Sequence, residues 1–243
     1  MSFEGQTVVI TGGASGFGFG MVQKFSEKEA NVIIVDVNSE LGDKAASETV
    51  NARFVHCDVS KSESVRSLFM QLDRVDILIN NAGITHAPAP IEDISEEDFD
   101  RVLAVNAKSV FLTSKFVIPK MKAAGKGVIL NIASTAGISP RPNLSWYNAS
   151  KGWMITATKS MAIELAPYNI RVNAINPVAG ETPLLATFMG EDTPENRERF
   201  IKTIPIGRFS TPEDIANTAC FLCSGEAEMI TGVAMEVDGG RCI

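Results

Sequence analysis

The stretch "TVVITGGASGFGFG", residues 7–20, decides the fold of this 243-residue chain. Its β-branched run ends at a glycine cluster in which Gly12, Gly16 and Gly18 have the spacing GxxxGxG. Glycines permit a tight strand-to-helix turn and a close approach of a ligand, and the N-terminus of the following helix offers unpaired N–H groups to a pyrophosphate. Taken alone, the cluster also fits a strand-to-helix turn that binds nothing.

A carboxylate near the end of the second apolar run favours the ligand-binding interpretation. The run "NVIIVDV", residues 31–37, contains Asp36, eighteen residues after Gly18. A dinucleotide-binding fold uses an acidic side chain at this place to accept hydrogen bonds from the adenosine ribose hydroxyls. The alternative for Asp36 is an ordinary turn residue at a strand end.

Apolar runs and helical segments continue to alternate along the chain. The further predicted strands are "ARFVHCDV", "VDILINNAG", "GVILNIAS", "IRVNAIN" and "GVAMEVDGG", and the first predicted helices span 16–29, 39–49 and 61–72. This order predicts an α/β fold, a single doubly wound Rossmann-type domain over residues 1–243 with about seven parallel strands and helices on both faces. Ser95 and Thr211 are predicted N-caps of two later helices.

The composition argues against several classes of partner. A net charge of −7 and a pI of about 5.0 disfavour nucleic acid and anionic membranes, because either would select a basic face. The N-terminus lacks a signal-peptide pattern, and no apolar run approaches the roughly 18 residues of a membrane span, so we expect a cytoplasmic protein. The four cysteines form no disulfide framework, and with only two histidines we expect no metal site. Cys220 and Cys223 are predicted to be core residues.

The segment "SWYNASKGWM", residues 145–154, places Tyr147 and Lys151 four residues apart. Residues with this spacing lie on the same face of a helix. An ammonium group beside a phenol favours the phenolate, and oxidised nicotinamide would add positive charge, so a tyrosine with an ordinary pKa of about 10 becomes a usable base. An exposed helical pair without a function is the alternative.

In their order and spacing, these motifs resemble the short-chain dehydrogenase/reductase family over essentially the whole chain. The matching motifs are TGxxxGxG at Thr11–Gly18, "CDV" with Asp58, "NNAG" at Asn80–Gly83, "VLAVNAKS" with Asn106, "NIAST" with Ser134, "YNASK" at Tyr147–Lys151, and "RVNAINP" ending at Pro177. The resemblance implies a nicotinamide dinucleotide as cofactor and a reaction that needs no metal, and Asp36 favours NAD as that cofactor.

The resemblance also implies a role for each matching residue. Tyr147 would move the substrate hydroxyl proton, Ser134 would bond the reacting oxygen, and Lys151 would also hold the nicotinamide ribose. Asn106 would support a proton relay through water. The implied cofactor-binding residues are Gly12, Ser15, Gly16, Phe17, Gly18, Asp36, Asp58, Val59, Asn81, Ala82, Gly83, Tyr147, Lys151, Pro177 and Thr182.

Two positions depart from the family pattern, and three segments carry substrate choice. Phe17 replaces the usual isoleucine or leucine, and Val178 replaces the usual glycine after the proline. The segments "ITHAPAPIE", "TAGISPRPNLSW" and 178–200 follow strand ends, where such sheets bind ligands, and residues 178–205 read as a substrate lid. Their few charges indicate an uncharged alcohol or ketone. His86 is predicted to be a surface loop residue, with a place at the substrate mouth as the alternative. Arg141 is predicted to be a solvated loop charge, with contact to an anionic group as the alternative.

The sequence therefore predicts an NAD-dependent dehydrogenase of secondary alcohols, polyols or sugars. No lysine or arginine near Asp36 offsets the extra phosphate of NADP. A 3-oxoacyl thioester reductase and a non-catalytic dinucleotide-binding regulatory protein are the alternatives. Family resemblance and the apolar helices at 106–121 and 153–165 further predict a homotetramer.

Overall fold

A seven-stranded parallel sheet forms the centre of the computed structural model, which describes residues 1–243. The strands are β1 (Thr7–Thr11), β2 (Asn31–Asp36), β3 (Ala52–His56), β4 (Ile77–Asn80), β5 (Gly127–Ile132), β6 (Ile170–Pro177) and β7 (Ala234–Val237). Their spatial order is β3-β2-β1-β4-β5-β6-β7, with every pair parallel. The order reverses between β1 and β4, which opens a crevice at the carboxyl ends of these strands. The predicted doubly wound α/β fold is confirmed.

The structure contains nine α-helices. They are α1 (Gly16–Glu27), α2 (Ser39–Ser47), α3 (Ser62–Met70), α4 (Glu96–Leu103), α5 (Ser109–Ala124), α6 (Ser145–Leu165), α7 (Leu184–Met189), α8 (Pro194–Ile201) and α9 (Pro212–Cys223). Successive side chains of β1 enter opposite cores: Val8 packs with α1 and α9, whereas Val9 packs with α3, α5 and α6. Because both faces are covered, the strands read as continuous apolar runs.

The strands end earlier than the apolar runs suggested. β3 ends at His56, β4 at Asn80 and β5 at Ile132, so the last residues of the predicted strands lie in loops. The ladder registers end at the pairs Asp36–His56, Asn80–Asn131 and Ile132–Ile175. Asp58, Asn81 and Ser134 therefore leave the sheet at its carboxyl edge, where a ligand can reach them.

The predicted caps and core cysteines are confirmed. The Ser95 hydroxyl accepts a hydrogen bond from the Asp98 N–H at 3.1 Å, and Thr211 forms a reciprocal capping box with Asp214. Cys220 and Cys223 are buried in α9, where burial raises the pKa of Cys220 to about 12.

Helices α4 and α5 form one continuous helical stretch, Glu96–Ala124, through a π-helical turn at Ala104–Lys108. By length and composition alone, this stretch is apolar enough to cross a membrane, contrary to the prediction that no apolar run approaches that length. Its residues Leu112, Val117 and Met121 are buried in the core beside β4 and β5, which is also how a core helix packs.

Candidate active site

A cavity of about 480 Å³ opens at the carboxyl ends of the strands. All the site residues predicted from the sequence line it except Gly18 and Asn106. One part, the glycine end, is lined by Gly12, Gly16, Asp36 and Asp58. The opposite part, the lid end, is lined by residues from the loop after β5 and from the lid, residues 178–205.

The glycine turn has the shape that a pyrophosphate needs. Gly12 has φ +62° and Gly16 has φ +53°, and a methyl group at Gly12 would lie 2.9 Å from the Ala82 Cα. A methyl group at Gly18 would overlap the Gly12 carbonyl oxygen, so Gly18 acts by letting α1 pack against the turn. The Ser15 side chain makes no cap bond, which leaves the N–H groups of the first turn of α1 available to an anion.

Thr11 ties the glycine turn to the loop after β4. Its hydroxyl accepts hydrogen bonds from the N–H groups of Asn81 (3.0 Å) and Ala82 (3.1 Å). The Asn81 side-chain amide donates to the carbonyls of Thr11 (2.9 Å) and Gly12 (3.0 Å). No role for Thr11 was predicted from the sequence, although this residue begins the glycine pattern.

Two carboxylates mark the glycine end. Asp36 accepts hydrogen bonds from the N–H groups of Ala14 (3.2 Å) and Asn38 (3.0 Å), which fix it at the end of β2. The only cations that line the cavity are Arg141, from the loop after β5, and Lys151. The glycine turn and Asp36 together fit a dinucleotide. The free N–H groups at the turn can donate hydrogen bonds to phosphates, and the Asp36 carboxylate can accept hydrogen bonds from ribose hydroxyls.

Tyr147, Lys151 and Ser134 meet in the cavity beyond the glycine end. Tyr147 and Lys151 lie on one face of α6 and are 6% and 4% exposed, which excludes the alternative of an exposed pair. The Lys151 ammonium donates to the Ile132 carbonyl at 2.8 Å and lies 5.9 Å from the centroid of the Tyr147 ring. Ser134 follows β5, and its hydroxyl accepts a bond from the Ala136 N–H at 3.1 Å.

Burial shifts the protonation equilibria of this group. It raises the pKa of Tyr147, opposed by a hydrogen bond with Ser134, and it lowers the pKa of Lys151 to about 8. The sequence predicts a favoured phenolate when Lys151 and oxidised nicotinamide act together; without the nucleotide, the pKa of Tyr147 shifts in the opposite direction. Burial outweighs the hydrogen bond with Ser134, which favours the phenolate. The effect of oxidised nicotinamide on this phenol stays a prediction.

Buried polar contacts hold α6 against the sheet. Asn80 donates to Asn131 at 2.8 Å, Asn131 donates to Thr158 of α6 at 2.8 Å, and Thr113 of α5 donates to Asn80 at 2.7 Å. Every member is at most 3% exposed, so such a chain of bonds is costly to break. No periodic signal predicts this chain of bonds, because polar residues in a buried strand resemble any other polar positions.

Asn106 is a positioning residue in this geometry. It is fully buried in the π-helical turn, its side-chain oxygen accepts from the Ile84 N–H at 2.9 Å, and its amide donates to Ile84 O and Ser150 Oγ. These bonds join the loop after β4 to α6, beside Lys151. A part in a water relay stays a prediction.

The lid has a small core of its own. Six buried residues form it: Val178, Leu185, Met189, Phe200, Ile204 and Phe209. Val178, which replaces the usual glycine, is thus a packing residue. Thr182 lies against Gly16, since a methyl group there would be 3.1 Å from the Thr182 Cβ, and the Phe17 ring abuts Gly180. The start of the lid therefore rests on the glycine turn.

Two loop residues differ from their predicted exposed state. Arg141 is half-buried at the lid end, with its guanidinium carbon 4.1 Å from the centroid of the Phe200 ring and 5.7 Å from that of Phe188. His86 is 1% exposed and lies outside the cavity lining. Both predictions were wrong because a sequence pattern does not show which segments pack over a loop.

Comparisons with known proteins agree with this geometry. A family model described as enoyl-(acyl carrier protein) reductase matches residues 12–241. The 4-formylbenzenesulfonate dehydrogenase of Comamonas testosteroni is 44% identical over all of both chains. The cyclopentanol dehydrogenase of a Comamonas species is 36% identical over 97% of this chain and 96% of the relative.

A solved structure shows the same agreement. The 3-ketoacyl-(acyl-carrier-protein) reductase of Brucella melitensis, complexed with NADH, is 48% identical and superposes with a TM-score of 0.94 over the full length of both chains. Similar proteins thus include oxidoreductases of several substrates on one common fold. With its glycine turn, its buried Tyr147–Lys151 pair and relatives that match end to end, the chain belongs to the short-chain dehydrogenase/reductase family of oxidoreductases.

Proposed function

We propose that the protein is an NAD(H)-dependent oxidoreductase that interconverts a secondary alcohol, or a polyol or sugar hydroxyl, and the corresponding ketone. The observation that carries the proposal is that Tyr147, Lys151 and Ser134 face the same cavity as the glycine turn and Asp36. A proton-transferring group and a dinucleotide site in one cavity are what hydride exchange at a carbon–oxygen bond requires. A bound nicotinamide would supply or accept the hydride.

The protein's own groups position the substrate and move the proton. Ser134 donates or accepts a hydrogen bond at the reacting oxygen, and Tyr147 gives a proton to that oxygen in reduction or removes it in oxidation. Lys151 is fixed by the Ile132 carbonyl, so its charge stays beside the phenol rather than moving into solvent. Holding these groups in place lowers the entropic part of the barrier.

Asp36 supports NAD over NADP. Its carboxylate lies at the glycine end, where the two cations of the cavity lining, Arg141 and Lys151, come from other segments. The additional phosphate of NADP would bring like charge to Asp36, at a cost on the order of a few kcal/mol at an effective dielectric near 20. The NADH complex of the Brucella relative agrees with a nicotinamide dinucleotide at such a site.

Reduction of 3-oxoacyl thioesters is a second candidate. The specific observation in its favour is the name of the Brucella structure, which is also an NADH complex, so NAD preference does not by itself exclude this activity. The two Comamonas relatives are named for a sulfonate-bearing aldehyde and for cyclopentanol, which differ in charge. A non-catalytic binding protein is disfavoured because the complete set of proton-transferring and positioning residues is present.

A dehydrogenase panel tests the proposal. Purified protein is assayed by nucleotide absorbance with NAD and NADP against secondary alcohols, polyols, sugars, hydroxy acids and hydroxyacyl thioesters. We expect turnover of at least one small alcohol with NAD. Activity confined to hydroxyacyl thioesters would establish the second candidate. Tight NAD binding with no turnover of any compound would instead establish a binding protein.

We also propose that the protein is a homotetramer. Phe111 of α5 and Trp153 of α6 are 55% and 44% exposed and share one shallow surface depression with Leu103 and Ala107. Adjacent helices with apolar residues on an outer face fit burial against another subunit. Light scattering at micromolar concentration should give four subunits, and replacement of Phe111 and Trp153 by glutamate should lower the number. A monomer in the unmodified protein would exclude the proposal.

A further inference from the structure

Arg141 is a half-buried cation without an acidic partner. The arginines in ion pairs are Arg66, Arg74, Arg101, Arg197 and Arg208. Arg141 makes no such pair, and burial together with the charge of Arg241 lowers its pKa to about 10. A partly desolvated charge without a counter-charge is costly, so an anion that binds beside Arg141 lowers the free energy of the site.

The position of Arg141 is nevertheless fixed. The Asn148 side-chain amide donates to the Arg141 carbonyl at 2.8 Å, which ties the loop after β5 to α6. The guanidinium lies over the Phe200 ring, with the Phe188 ring on another side. Stacking on a ring occupies the face of a guanidinium and leaves its N–H edges to meet an acceptor. Those N–H groups can bind an oxyanion with two parallel bonds.

A second guanidinium stands beside the first. Arg241, from the C-terminal segment, has its Nη1 3.5 Å from the hydroxyl of Ser139, two residues before Arg141. Its Nε is buried and has no hydrogen-bond partner. Arg241 does not line the cavity, so it acts by adding positive potential behind Arg141. The Asp238 carboxylate near Arg241 accepts from the N–H groups of Gly240 and Cys242, and neither guanidinium forms an ion pair. The two adjacent cations therefore favour a negatively charged ligand.

Arg141 lies one aromatic side chain away from Tyr147, a separation that a short substrate can span. The Phe188 ring lies 5.6 Å from the Tyr147 ring, centroid to centroid, and 5.7 Å from the Arg141 guanidinium carbon. Tyr147 and Arg141 thus flank one aromatic ring, and both line the cavity. A molecule with a reacting carbonyl at one end, an aromatic ring, and an anion at the other end can contact both.

We propose that Arg141, supported by Arg241, binds a carboxylate or sulfonate at the end of an aromatic substrate whose carbonyl or hydroxyl carbon reacts beside Tyr147. This rests on the proposed oxidoreductase function and replaces the uncharged substrate expected from the sequence. Asp36 and Asp58 at the glycine end would repel the same anion. Charge therefore orients the substrate in one direction along the cavity.

A pair of ketones that differ in one charge tests the proposal. The kcat/KM for reduction by NADH is measured for para-acetylbenzoate and its neutral analogue para-acetylbenzamide. We expect the anion to be preferred by about ten- to a hundredfold, as for a charge-assisted hydrogen-bond pair. Arg141→Gln should remove most of this preference, mainly through KM, because the contact is remote from the reacting carbon. Arg141→Lys should keep part of it.

The control variant is Arg199→Gln, which removes an exposed arginine of α8, in the same lid. It should keep the preference. Calorimetric titration with benzenesulfonate, which cannot react, provides a readout without turnover, and Arg141→Gln should weaken this binding by a similar factor. Thermal melting shows whether each variant is folded.

The outcomes separate the anion site from the proposed function. Equal use of both ketones, with no Arg141-dependent binding of benzenesulfonate, would overturn the anion site and leave the oxidoreductase function intact. Arg141-dependent binding with no turnover of any carbonyl would overturn the function and leave the site. Arg141-dependent reduction of 3-oxoacyl coenzyme A thioesters, with para-acetylbenzoate inactive, would assign the site to a phosphate of the thioester carrier and overturn the aromatic substrate.

Discussion

The two ends of the cavity are lined by different kinds of chemical group. At the glycine end, backbone N–H groups, carbonyls and short polar side chains from β1, β2 and β4 make the surface, and Asp36 and Asn81 have hydrogen-bond partners within the protein. At the lid end, large side chains from separate segments make the surface, and the guanidinium of Arg141 has no acidic partner. The polar groups of the glycine end thus have hydrogen-bond partners without a ligand. The guanidinium at the lid end would obtain an anionic partner from its ligand.

The largest expected effect is the loss of turnover when Tyr147, at the junction of the two ends, is replaced. Tyr147→Phe removes the proton carrier and little volume, so turnover should fall by about a hundred- to ten-thousandfold while NAD affinity stays nearly constant. Single-turnover absorbance and fluorescence titration measure the two quantities. Tyr168→Phe is the control, since the other tyrosine is 46% exposed and lies outside the cavity. Retention of more than a tenth of the activity in Tyr147→Phe would mean that another residue carries the proton.

The second effect belongs to the glycine end. Asp36→Ala should reduce the preference for NAD over NADP by roughly two orders of magnitude, because the repulsion of the additional phosphate is removed. Adding Val37→Arg should shift the preference further toward NADP. The ratio of kcat/KM values for the two nucleotides is the measurement. Asp43→Ala, at an exposed position of α2, should change nothing. Comparable values for both nucleotides in the unmodified protein would refute the role of Asp36.

The third effect is on stability, at Lys151. Burial lowers the pKa of Lys151 to about 8, so below pH 8 the buried ammonium group destabilises the folded state. This destabilisation disappears as the pH rises from 8 toward the ordinary lysine value of about 10.4, because the unfolded chain then also loses the proton. Lys151→Met should stabilise the protein at pH 7, measured by denaturant titration without nucleotide, by about 1–3 kcal/mol. The gain should shrink between pH 8 and pH 10. Lys159→Met, at an exposed position of the same helix, should show no such pH dependence.

The smallest effect concerns the lid end. Phe188→Leu removes one of the two rings beside Arg141 and the ring that meets Tyr147 edge to face. Such contacts contribute about 0.5–1.5 kcal/mol, so KM for substrate should rise roughly three- to tenfold. The dissociation constant of NAD should not change. A change confined to NAD binding would mean that the two ends are not separate in function.

The difference between local backbone groups at the glycine end and distant side chains at the lid end also explains which site residues could be predicted from the sequence. Gly12, Gly16 and Asp36 are read from spacing, because backbone turns and strand ends impose residue types at fixed intervals. The same holds for Tyr147 and Lys151, whose shared helix face follows from helix geometry. The seven parallel strands follow from their apolar runs.

Other features depend on contacts between distant segments, which no local pattern records. The burial of Arg141 depends on Phe200, far along the chain, and His86 is enclosed by packing that its own segment does not specify. The raised pKa of Tyr147 likewise depends on how completely α6 and its neighbours exclude water. Spacing predicts proximity but not the degree of burial.

The contact between the lid and the glycine turn has a kinetic consequence. Thr182 lies on Gly16 at the start of the lid, and Pro212, just after the lid, lies against Gly20 of α1, where a methyl group would be 2.5 Å from the Pro212 Cβ. Both anchors of the lid thus rest on the helix that receives the nucleotide. If the substrate bound first, it would lie behind the lid before nucleotide binding had fixed the positions of the two ends of the lid. We therefore expect a compulsory order of addition, with nucleotide first and substrate second, and the reverse order in product release.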